Sequence, residues 1–207
     1  MIGIVDYNAG NITSVERALK KLGIEFVLSK RPDDLTSCEK LIFPGVGDAA
    51  YAMEQLQQSG FDNFLKDAAA AGKPILGICL GSQIIFDWSE EGNTECLGLI
   101  KGKIRHFYSI KPELKDESFK VPHMGWNNLE IKNGGSSILS TLPENSDFYF
   151  VHSYVICPEN AEVIKATAVY GIEVPSVIQS GSVYACQFHP EKSGEPGLKL
   201  LKNFCTM

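Results

Sequence analysis

The 207-residue chain lacks the features that mark several broad classes of protein. No apolar run approaches the roughly 20 residues that a membrane-spanning helix needs. The first residues have neither the basic segment nor the length of a secretory signal. No basic run is present and the formal net charge is −6, whereas a nucleic-acid-binding surface is normally basic. We therefore expect a cytoplasmic protein that acts on neither membranes nor nucleic acids.

Cysteine is present but scattered, and none of the six residues forms a Cys-x-x-Cys pair. This spacing disfavours zinc ribbons and dithiol redox motifs, and without a secretory signal a disulfide framework is not expected either. Most of these side chains are expected to be small buried hydrophobes, so a chemical role has to be argued for each one separately. The positions are Cys38, Cys79, Cys96, Cys157, Cys186 and Cys205.

The composition suits one domain of ordinary size. Hydrophobic residues make up 44% of the chain and charged residues 21%, which is enough apolar material for a core and argues against disorder. Neither a linker nor an internal repeat is visible. We predict a single domain over residues 1–207.

The first half of the chain alternates apolar runs with segments of helical spacing. Fully apolar strands that alternate with helices indicate an α/β fold, with a mainly parallel sheet and helices on both of its faces. The predicted strands are Ile2–Val5, Ile24–Leu28, Leu41–Phe43 and Pro74–Ile78. The predicted helices are one through Ile12, Val15, Leu19 and Leu22 that stops at Gly23, then Ala49–Gln58, Phe61–Ala71 and Gly81–Trp88.

The second half contains more strands, separated by turns such as Asn133-Gly134-Gly135. These strands are expected to be antiparallel and to extend or flank the parallel sheet, with Gly197–Phe204 closing the chain as a helix. The predicted strands are Gly98–Phe107, Asn128–Ile131, Phe148–Tyr154, Ile164–Val169, Val174–Gln179 and Val183–Phe188.

A candidate nucleophile stands where the fourth predicted strand meets a helix. The segment Gly77-Ile78-Cys79-Leu80-Gly81 has the pattern Gly-x-nucleophile-x-Gly, in which a sharp turn lifts the central side chain out of the sheet. The helix that follows would favour the thiolate of Cys79, and the Leu80 N–H would be available to an oxyanion. A buried structural cysteine between two packing glycines explains the pentapeptide equally well.

A candidate base follows the last predicted strand, in His189-Pro190-Glu191. The imidazole of His189 would take the proton of the thiol, and Glu191 would hold the ring and stabilise its charged form. Taken alone, the tripeptide is equally well explained as a surface turn. The other histidines, His106, His123 and His152, have no such carboxylate beside them.

A third segment, Pro44-Gly45-Val46-Gly47, follows the third predicted strand. Glycines allow a backbone conformation that turns an N–H toward a bound carbonyl oxygen, although the tetrapeptide taken alone favours an ordinary glycine-rich βα turn. All three segments end strands of the same predicted sheet, where α/β proteins bind their ligands. Their joint occurrence favours a catalytic interpretation over three separate structural ones.

The combined segments resemble the class I (triad) glutamine amidotransferases, and within that class the HisH family of glutaminase subunits from imidazole glycerol phosphate synthase in histidine biosynthesis. The class resemblance rests on Gly77-Ile-Cys-Leu-Gly-Ser-Gln83 and His189-Pro-Glu191, and it implies a flavodoxin-like fold. The resemblance covers essentially the whole chain. The narrower resemblance rests on Asp6-Tyr-Asn-Ala-Gly-Asn-Ile-Thr-Ser14, Pro44-Gly-Val-Gly47, Pro122-His-Met-Gly-Trp-Asn127 and His189-Pro-Glu-Lys-Ser193.

The resemblance implies a role for each matching residue. The catalytic triad would be Cys79, His189 and Glu191. The Leu80 N–H and the Val46–Gly47 peptide would bind the oxyanion. The amino-acid end of glutamine would meet Gln83, the backbone near Gly47, and the segment His152, Ser153 and Tyr154. Residues toward a partner subunit would be Asn11, Met124, Trp126 and Lys192, although from sequence alone Met124 and Trp126 would be assigned to the core and Lys192 to a solvated surface.

The implied chemistry needs no metal and no organic cofactor. The implied partner is a separate (β/α)₈-barrel synthase subunit, HisF, which would receive the ammonia and form a heterodimer with this chain. Two positions depart from the family pattern. Ser82 replaces a frequent methionine but leaves the nucleophile and both glycines in place, whereas Asp48, after the third strand, puts the activation of the site in question.

Other functions remain open at this stage. HisH-like subunits also serve amidotransferases that modify cell-surface sugars, and other glutaminases of the class feed pyridoxal phosphate, anthranilate or GMP synthesis. The Pro122–Asn127 stretch disfavours the glutaminases that feed these three syntheses. A non-catalytic α/β binding module, or a cysteine protease or amidase of related fold, are the remaining alternatives.

Overall fold

The structure, a computed structural model, describes residues 1–10, 12–116 and 119–207. Within them the α-helices are α1 (Ile12–Lys21), α2 (Ala49–Ser59), α3 (Phe61–Ala70), α4 (Leu80–Ile84), α5 (Phe107–Ile110) and α6 (Gly194–Thr206). The strands of the first half are β1 (Ile2–Val5), β2 (Phe26–Ser29), β3 (Lys40–Gly45), β4 (Ile75–Cys79), β5 (Trp88–Ser89), β6 (Thr94–Glu95) and β7 (Gly102–His106). Those of the second half are β8 (His123–Asn128), β9 (Glu130–Ile131), β10 (Asp147–His152), β11 (Tyr154–Pro158), β12 (Ile164–Tyr170), β13 (Ile172–Ser180) and β14 (Val183–Cys186).

In the described part of the chain, the main sheet has eight strands in the order β2-β1-β3-β4-β14-β13-β12-β9. The strands from β2 to β14 in this order are parallel, and β13, β12 and β9 continue the sheet antiparallel. The prediction of a mainly parallel α/β sheet with antiparallel strands from the second half is confirmed.

Helices cover both faces of the sheet. One core cluster joins the buried faces of α2 and α3 to strands β3 and β4, and a second joins α1 and α6 to the opposite face. The amphipathic pattern of α1 buries Val15, Ala18 and Leu19 at the i, i+3, i+4 spacing of one helical face. None of the helices in the described residues combines the length and the apolar character that a membrane span requires.

The helix predicted for Gly81–Trp88 is wrong beyond Ile84. Helix α4 ends there, and Trp88 begins strand β5. The carbonyl groups of residues 84–86 accept hydrogen bonds from the backbone N–H groups of residues 97–99, at 2.7–2.9 Å. This distant segment satisfies the acceptors at the end of the helix, so the chain is free to turn away.

Other strand predictions also differ from the structure, and one strand was not predicted. The predicted strand Phe148–Tyr154 is two strands, β10 and β11, because they pair with different neighbours, β8 and β7. The predicted strand Gly98–Phe107 is shorter and starts at Gly102. Strand β8 was not predicted, because its inward positions are His123, Gly125 and Asn127 rather than apolar residues.

Gly81 is expected to tolerate no side chain. A Cβ atom there would collide with the backbone carbonyl of Phe43 on β3. We predict that Gly81→Ala lowers the free energy of unfolding by about 3 kcal/mol or more, measured by urea denaturation. The control is Gly134→Ala, where φ is +75° but the space is open and about 1–2 kcal/mol is expected from the backbone alone. Equal losses in the two variants would contradict the close packing of α4 on β3.

Candidate active site

Cys79 ends strand β4 and directly precedes helix α4, with φ +54° and ψ −111°. Residues with a Cβ rarely adopt this backbone conformation, so the packing around Cys79 must enforce it. A Cβ on Gly77 would lie 2.7 Å from the carbonyl oxygen of Gly81, and a Cβ on Gly81 would collide with the carbonyl of Phe43, so both flanking positions require glycine. The Ser82 hydroxyl donates to the Cys79 carbonyl at 2.5 Å. The turn therefore presents the thiol at the carboxyl end of the sheet.

The candidate oxyanion segment lies beside the candidate nucleophile because β3 runs parallel to β4, with Gly45 opposite Cys79. Gly47 has φ +96°, in the region that favours glycine. The Val46 N–H donates to the carbonyl of Ala9 at 3.1 Å. This N–H is therefore engaged with the N-terminal loop and not directed at a substrate.

His189 follows β14, and its backbone is hydrogen-bonded to β10. Its N–H donates to the Tyr149 carbonyl at 2.9 Å, and the Ser193 hydroxyl donates to its carbonyl at 2.6 Å. The imidazole Nδ1 lies 2.7 Å from Oε1 of Glu191, and both side chains are 2% exposed. The ring orientation is thus set by the backbone on one side and by a buried carboxylate on the other.

The charge of the His189 ring is controlled by its two neighbours. Burial lowers its pKa, but hydrogen bonds to Cys79 and Glu191, together with their charges, outweigh burial and raise the pKa to about 9. Within the described residues, Oε2 of Glu191 is buried and has no hydrogen-bond partner, so the imidazolium is the principal partner of this carboxylate. The arrangement favours an imidazolium beside the thiol near neutral pH.

A cavity of about 340 Å³ opens at Cys79. It brings together the sequence-predicted residues Val46, Gly47, Cys79, Leu80, Gln83, His152, Ser153, Tyr154, His189 and Lys192. Glu191 is not part of the lining because it lies behind His189. The cavity size and its mixed lining are typical of a site for a small molecule.

Gln83 is fixed in the wall of this cavity. Its Nε2 donates to the Tyr154 carbonyl at 3.2 Å and to Oε1 of the buried Gln187 at 3.0 Å. Both donor positions of the amide are therefore used within the protein. The amide oxygen is the atom that remains for a ligand.

A comparison with known families decides among the catalytic alternatives. The family described as "Glutamine amidotransferase class-I" matches residues 3–207. The chain belongs to this family. The amidotransferase resembles "Imidazole glycerol phosphate synthase subunit HisH" of Geobacillus sp. (strain WCH70), at 44% identity over all of this chain and 97% of the relative. It is 46% identical to the HisH subunit of Nitratidesulfovibrio vulgaris (strain DSM 19637 / Miyazaki F), over 99% of this chain and 95% of the relative.

The fold of the amidotransferase also matches solved structures. A chain of PurLQS from Thermotoga maritima superposes with a TM-score of 0.74 at 21% identity, and the match covers 98% of this chain and 96% of the other. At this identity the match concerns the fold alone. It agrees with the α/β fold and the mainly parallel sheet described above.

The residues predicted to face a partner lie in different places. Met124 and Trp126 are 61% and 59% exposed on β8, so the assignment to the core suggested by sequence alone is wrong. Lys192 is exposed at the margin of the cavity. Asn11 lies outside the described residues.

Sequence reasoning missed three residues that line the cavity: Glu91, Pro122 and Val151. Glu91 is half-buried, and its Oε2 accepts from the Ala49 N–H at 3.0 Å. Burial, with Asp48 nearby, raises the pKa of Glu91, although the hydrogen bond from Ala49 opposes the shift. No local pattern marked this residue, since it reaches the site through the short 3₁₀ turn Glu91–Asn93 after β5. Asp48 itself caps α2 by accepting from the Tyr51 N–H at 3.0 Å.

Replacing Glu191 should change the pH dependence of the amidotransferase. The folded-state pKa of His189 lies above the ordinary 6.5, so the imidazolium stabilises the fold below about pH 6.5 and this contribution is lost as pH rises through about 9. Glu191→Gln removes the carboxylate charge. We predict that the alkaline limb of kcat/KM for glutamine then moves down by about one pH unit or more.

The pH profile of glutamine hydrolysis measures this shift. Glu195→Gln is the control, because Glu195 is an exposed residue of α6 that pairs with Lys21 of α1 and lies outside the cavity. The wild type should lose stability between about pH 6.5 and 9, and this loss should be smaller in Glu191→Gln, where only Cys79 still raises the pKa of His189. An unchanged alkaline limb in Glu191→Gln would show that this carboxylate does not set the charge of His189.

Proposed function

We propose that this chain is the glutaminase subunit of an imidazole glycerol phosphate synthase, with residues 1–207 acting as one glutaminase domain. It hydrolyses glutamine to glutamate and passes the ammonia to a HisF-type (β/α)₈ cyclase subunit, which forms imidazole glycerol phosphate and aminoimidazole carboxamide ribotide. The observation that carries the proposal is full-length similarity to HisH subunits, at 44–46% identity. The strained Cys79 turn beside a buried His189–Glu191 pair supports it.

The proposed reaction begins with the thiolate of Cys79. It attacks the carboxamide carbon of glutamine, a C–S bond forms, and the C–N bond breaks as His189 donates a proton to the departing ammonia. A glutamyl thioester remains. Water then attacks the thioester as His189 takes its proton, and glutamate leaves while the thiolate is restored.

The oxyanion formed in both steps needs two backbone donors. Leu80 opens helix α4, so its N–H has no partner within the helix. We assign the second donor to the Val46 N–H of the Val46–Gly47 segment, which is engaged with the Ala9 carbonyl and would first have to leave it. Since loss of one oxyanion donor typically costs about 10²–10³ in rate, we infer that the isolated chain hydrolyses glutamine slowly.

The amino-acid end of glutamine would lie against the wall formed by Gln83, Ser153 and Tyr154. Because the Gln83 amide donates within the protein, its oxygen is suited to the α-ammonium group of the substrate. The Glu91 carboxylate lines the same cavity and offers this ammonium a charged acceptor.

The proposed partner would dock beside the cavity. Exposed Met124 and Trp126 on β8, and Lys192 at the cavity margin, are the residues we assign to this interface. Large exposed apolar side chains are typical of a protein-binding surface. A docked barrel subunit would also receive ammonia before solvent can protonate it.

The function is tested by Cys79→Ala in complex with a HisF-type subunit. We expect glutamine-dependent synthesis to fall by on the order of 10⁴-fold or more, because no nucleophile remains. Ammonia-dependent synthesis by the same complex should stay at the wild-type rate, since it bypasses this site. Both rates are measured from product formation.

The matched control is Cys157→Ala, which removes a half-buried thiol outside the cavity and should leave both rates unchanged. Glutamine-dependent synthesis that survives Cys79→Ala would overturn the assignment of the nucleophile. A wild-type complex that never uses glutamine would overturn the function itself.

Glu91→Gln tests the assigned ammonium contact. Loss of a hydrogen bond to a charged group costs about 1.5–3 kcal/mol, so we predict a KM for glutamine about 10- to 100-fold higher with little change in kcat. Glu95→Gln, at an exposed position on β6, serves as the control. A fall in kcat at unchanged KM would instead place Glu91 in the chemical step.

A further inference from the structure

Two buried histidines, one in the cavity wall and one behind it, form a pair that the mechanism above does not use. His123 on β8 and His152 on β10 are directly opposite each other in the antiparallel register, and they are 2% and 5% exposed. Nδ1 of His123 lies 3.0 Å from Nε2 of His152. A buried contact of this length between two ring nitrogens requires one to donate and the other to accept.

The direction of this hydrogen bond follows from its far end. Nδ1 of His152 lies 2.7 Å from the carbonyl oxygen of Tyr154, and a carbonyl only accepts. Nδ1 of His152 therefore carries the hydrogen, its Nε2 accepts, and Nδ1 of His123 donates. Nε2 of His123 in turn lies 3.5 Å from the amide nitrogen of Asn127. All hydrogen bonds in this chain therefore point in one direction, from Asn127 through His123 and His152 to the Tyr154 carbonyl.

The surroundings keep both rings neutral. Burial lowers the pKa of His123 to about 4. Burial also lowers that of His152 to about 3, despite the opposing effect of the Tyr154 carbonyl. The His123 ring stacks between Phe150 and Tyr170, with centroids 4.6 and 4.0 Å away. The chain of hydrogen bonds requires neutral rings. A protonated His152 would carry a hydrogen on Nε2, and this nitrogen could then not accept from His123.

The chain of hydrogen bonds ends at the carbonyl oxygen of Tyr154, which connects several residues of the cavity wall. Tyr154 begins β11, and its carbonyl accepts from both His152 Nδ1 and Gln83 Nε2. Ser153 and Tyr154 line the cavity, as does Gln83. The position of this carbonyl therefore affects each of the groups proposed to hold the amino-acid end of glutamine.

We propose that His123 is a positioning residue for glutamine binding. Its Nδ1–H orients His152, which holds the Tyr154 carbonyl and with it the Ser153–Tyr154 wall and the Gln83 amide. His123 touches no reacting atom and acts only through this chain. The inference rests on the proposed glutaminase function and concerns the affinity for the substrate, not the chemical step.

Two variants separate the hydrogen bond from the packing. His123→Phe keeps a flat ring between Phe150 and Tyr170 but leaves Nε2 of His152 buried without a donor. His123→Asn keeps an N–H near the Nδ1 position but loses the stacking. In the complex, we expect His123→Phe to raise KM for glutamine roughly tenfold, with kcat within about twofold of wild type.

His123→Asn should keep KM near the wild-type value even where its melting temperature falls. A normal KM in His123→Phe, or a raised KM in His123→Asn alone, would reduce His123 to a packing role and overturn the proposal. Ammonia-dependent synthesis should be unchanged in both variants. A wild-type complex without glutaminase activity would refute the proposed function, whereas an active wild type with unaltered KM in His123→Phe refutes only the positioning role.

A second measurement needs no variant. Nitrogen-15 NMR of the histidine-labelled wild-type chain at pH 7 should show His123 and His152 as neutral rings with the hydrogen on Nδ1. A hydrogen on Nε2, or a charged ring, at either residue would break the one-way chain and overturn the proposal even where a variant does not fold.

Discussion

The turn at Cys79 is the constraint on which the rest of the site depends. Its backbone has φ +54°, a conformation that costs on the order of 1–3 kcal/mol and persists only where the surrounding packing enforces it. Here that packing is the approach of α4 to β3 at Gly81 and to β4 at Gly77, which leaves no room for a side chain at either position. The parallel pairing of β3 with β4 places Gly45 opposite Cys79. The candidate nucleophile and the candidate oxyanion segment are therefore positioned by the same three elements, β3, β4 and α4.

The site contains two kinds of buried histidine, and their surroundings give them opposite charge states. Hydrogen bonds and charges from Cys79 and from Glu191, which lies at 2.7 Å, raise the pKa of His189 to about 9 despite burial. Burial lowers the pKa of His152 to about 3, although the hydrogen bond to the Tyr154 carbonyl opposes this shift. Titratable groups whose environments separate their pKa values are a common way to assign different roles within one site. Here the charged ring is assigned to proton transfer and the neutral ring to positioning.

Strand β8 connects the buried histidine pair behind the cavity wall to the surface. Successive side chains of a strand point to opposite faces, so the buried His123 alternates with the exposed Met124 and Trp126. The residues assigned to the partner interface and the first ring of the hydrogen-bond chain therefore share one short segment. This geometry explains why a distinctive stretch of sequence occurs at a place where a strand was not expected.

The sequence by itself determined the features that depend on near neighbours. The glycines around Cys79, the His189-Pro190-Glu191 spacing and the apolar parallel strands were all read from contiguous residues, because a tight turn and a buried strand constrain the residue types within them. Tertiary structure decided the rest. Helix α4 stops at Ile84 because residues 97–99 satisfy its carbonyls, and His123 meets His152 only through the register of β8 and β10. Glu91 reaches the cavity for the same reason: its position depends on the packing of distant segments, which no local pattern records.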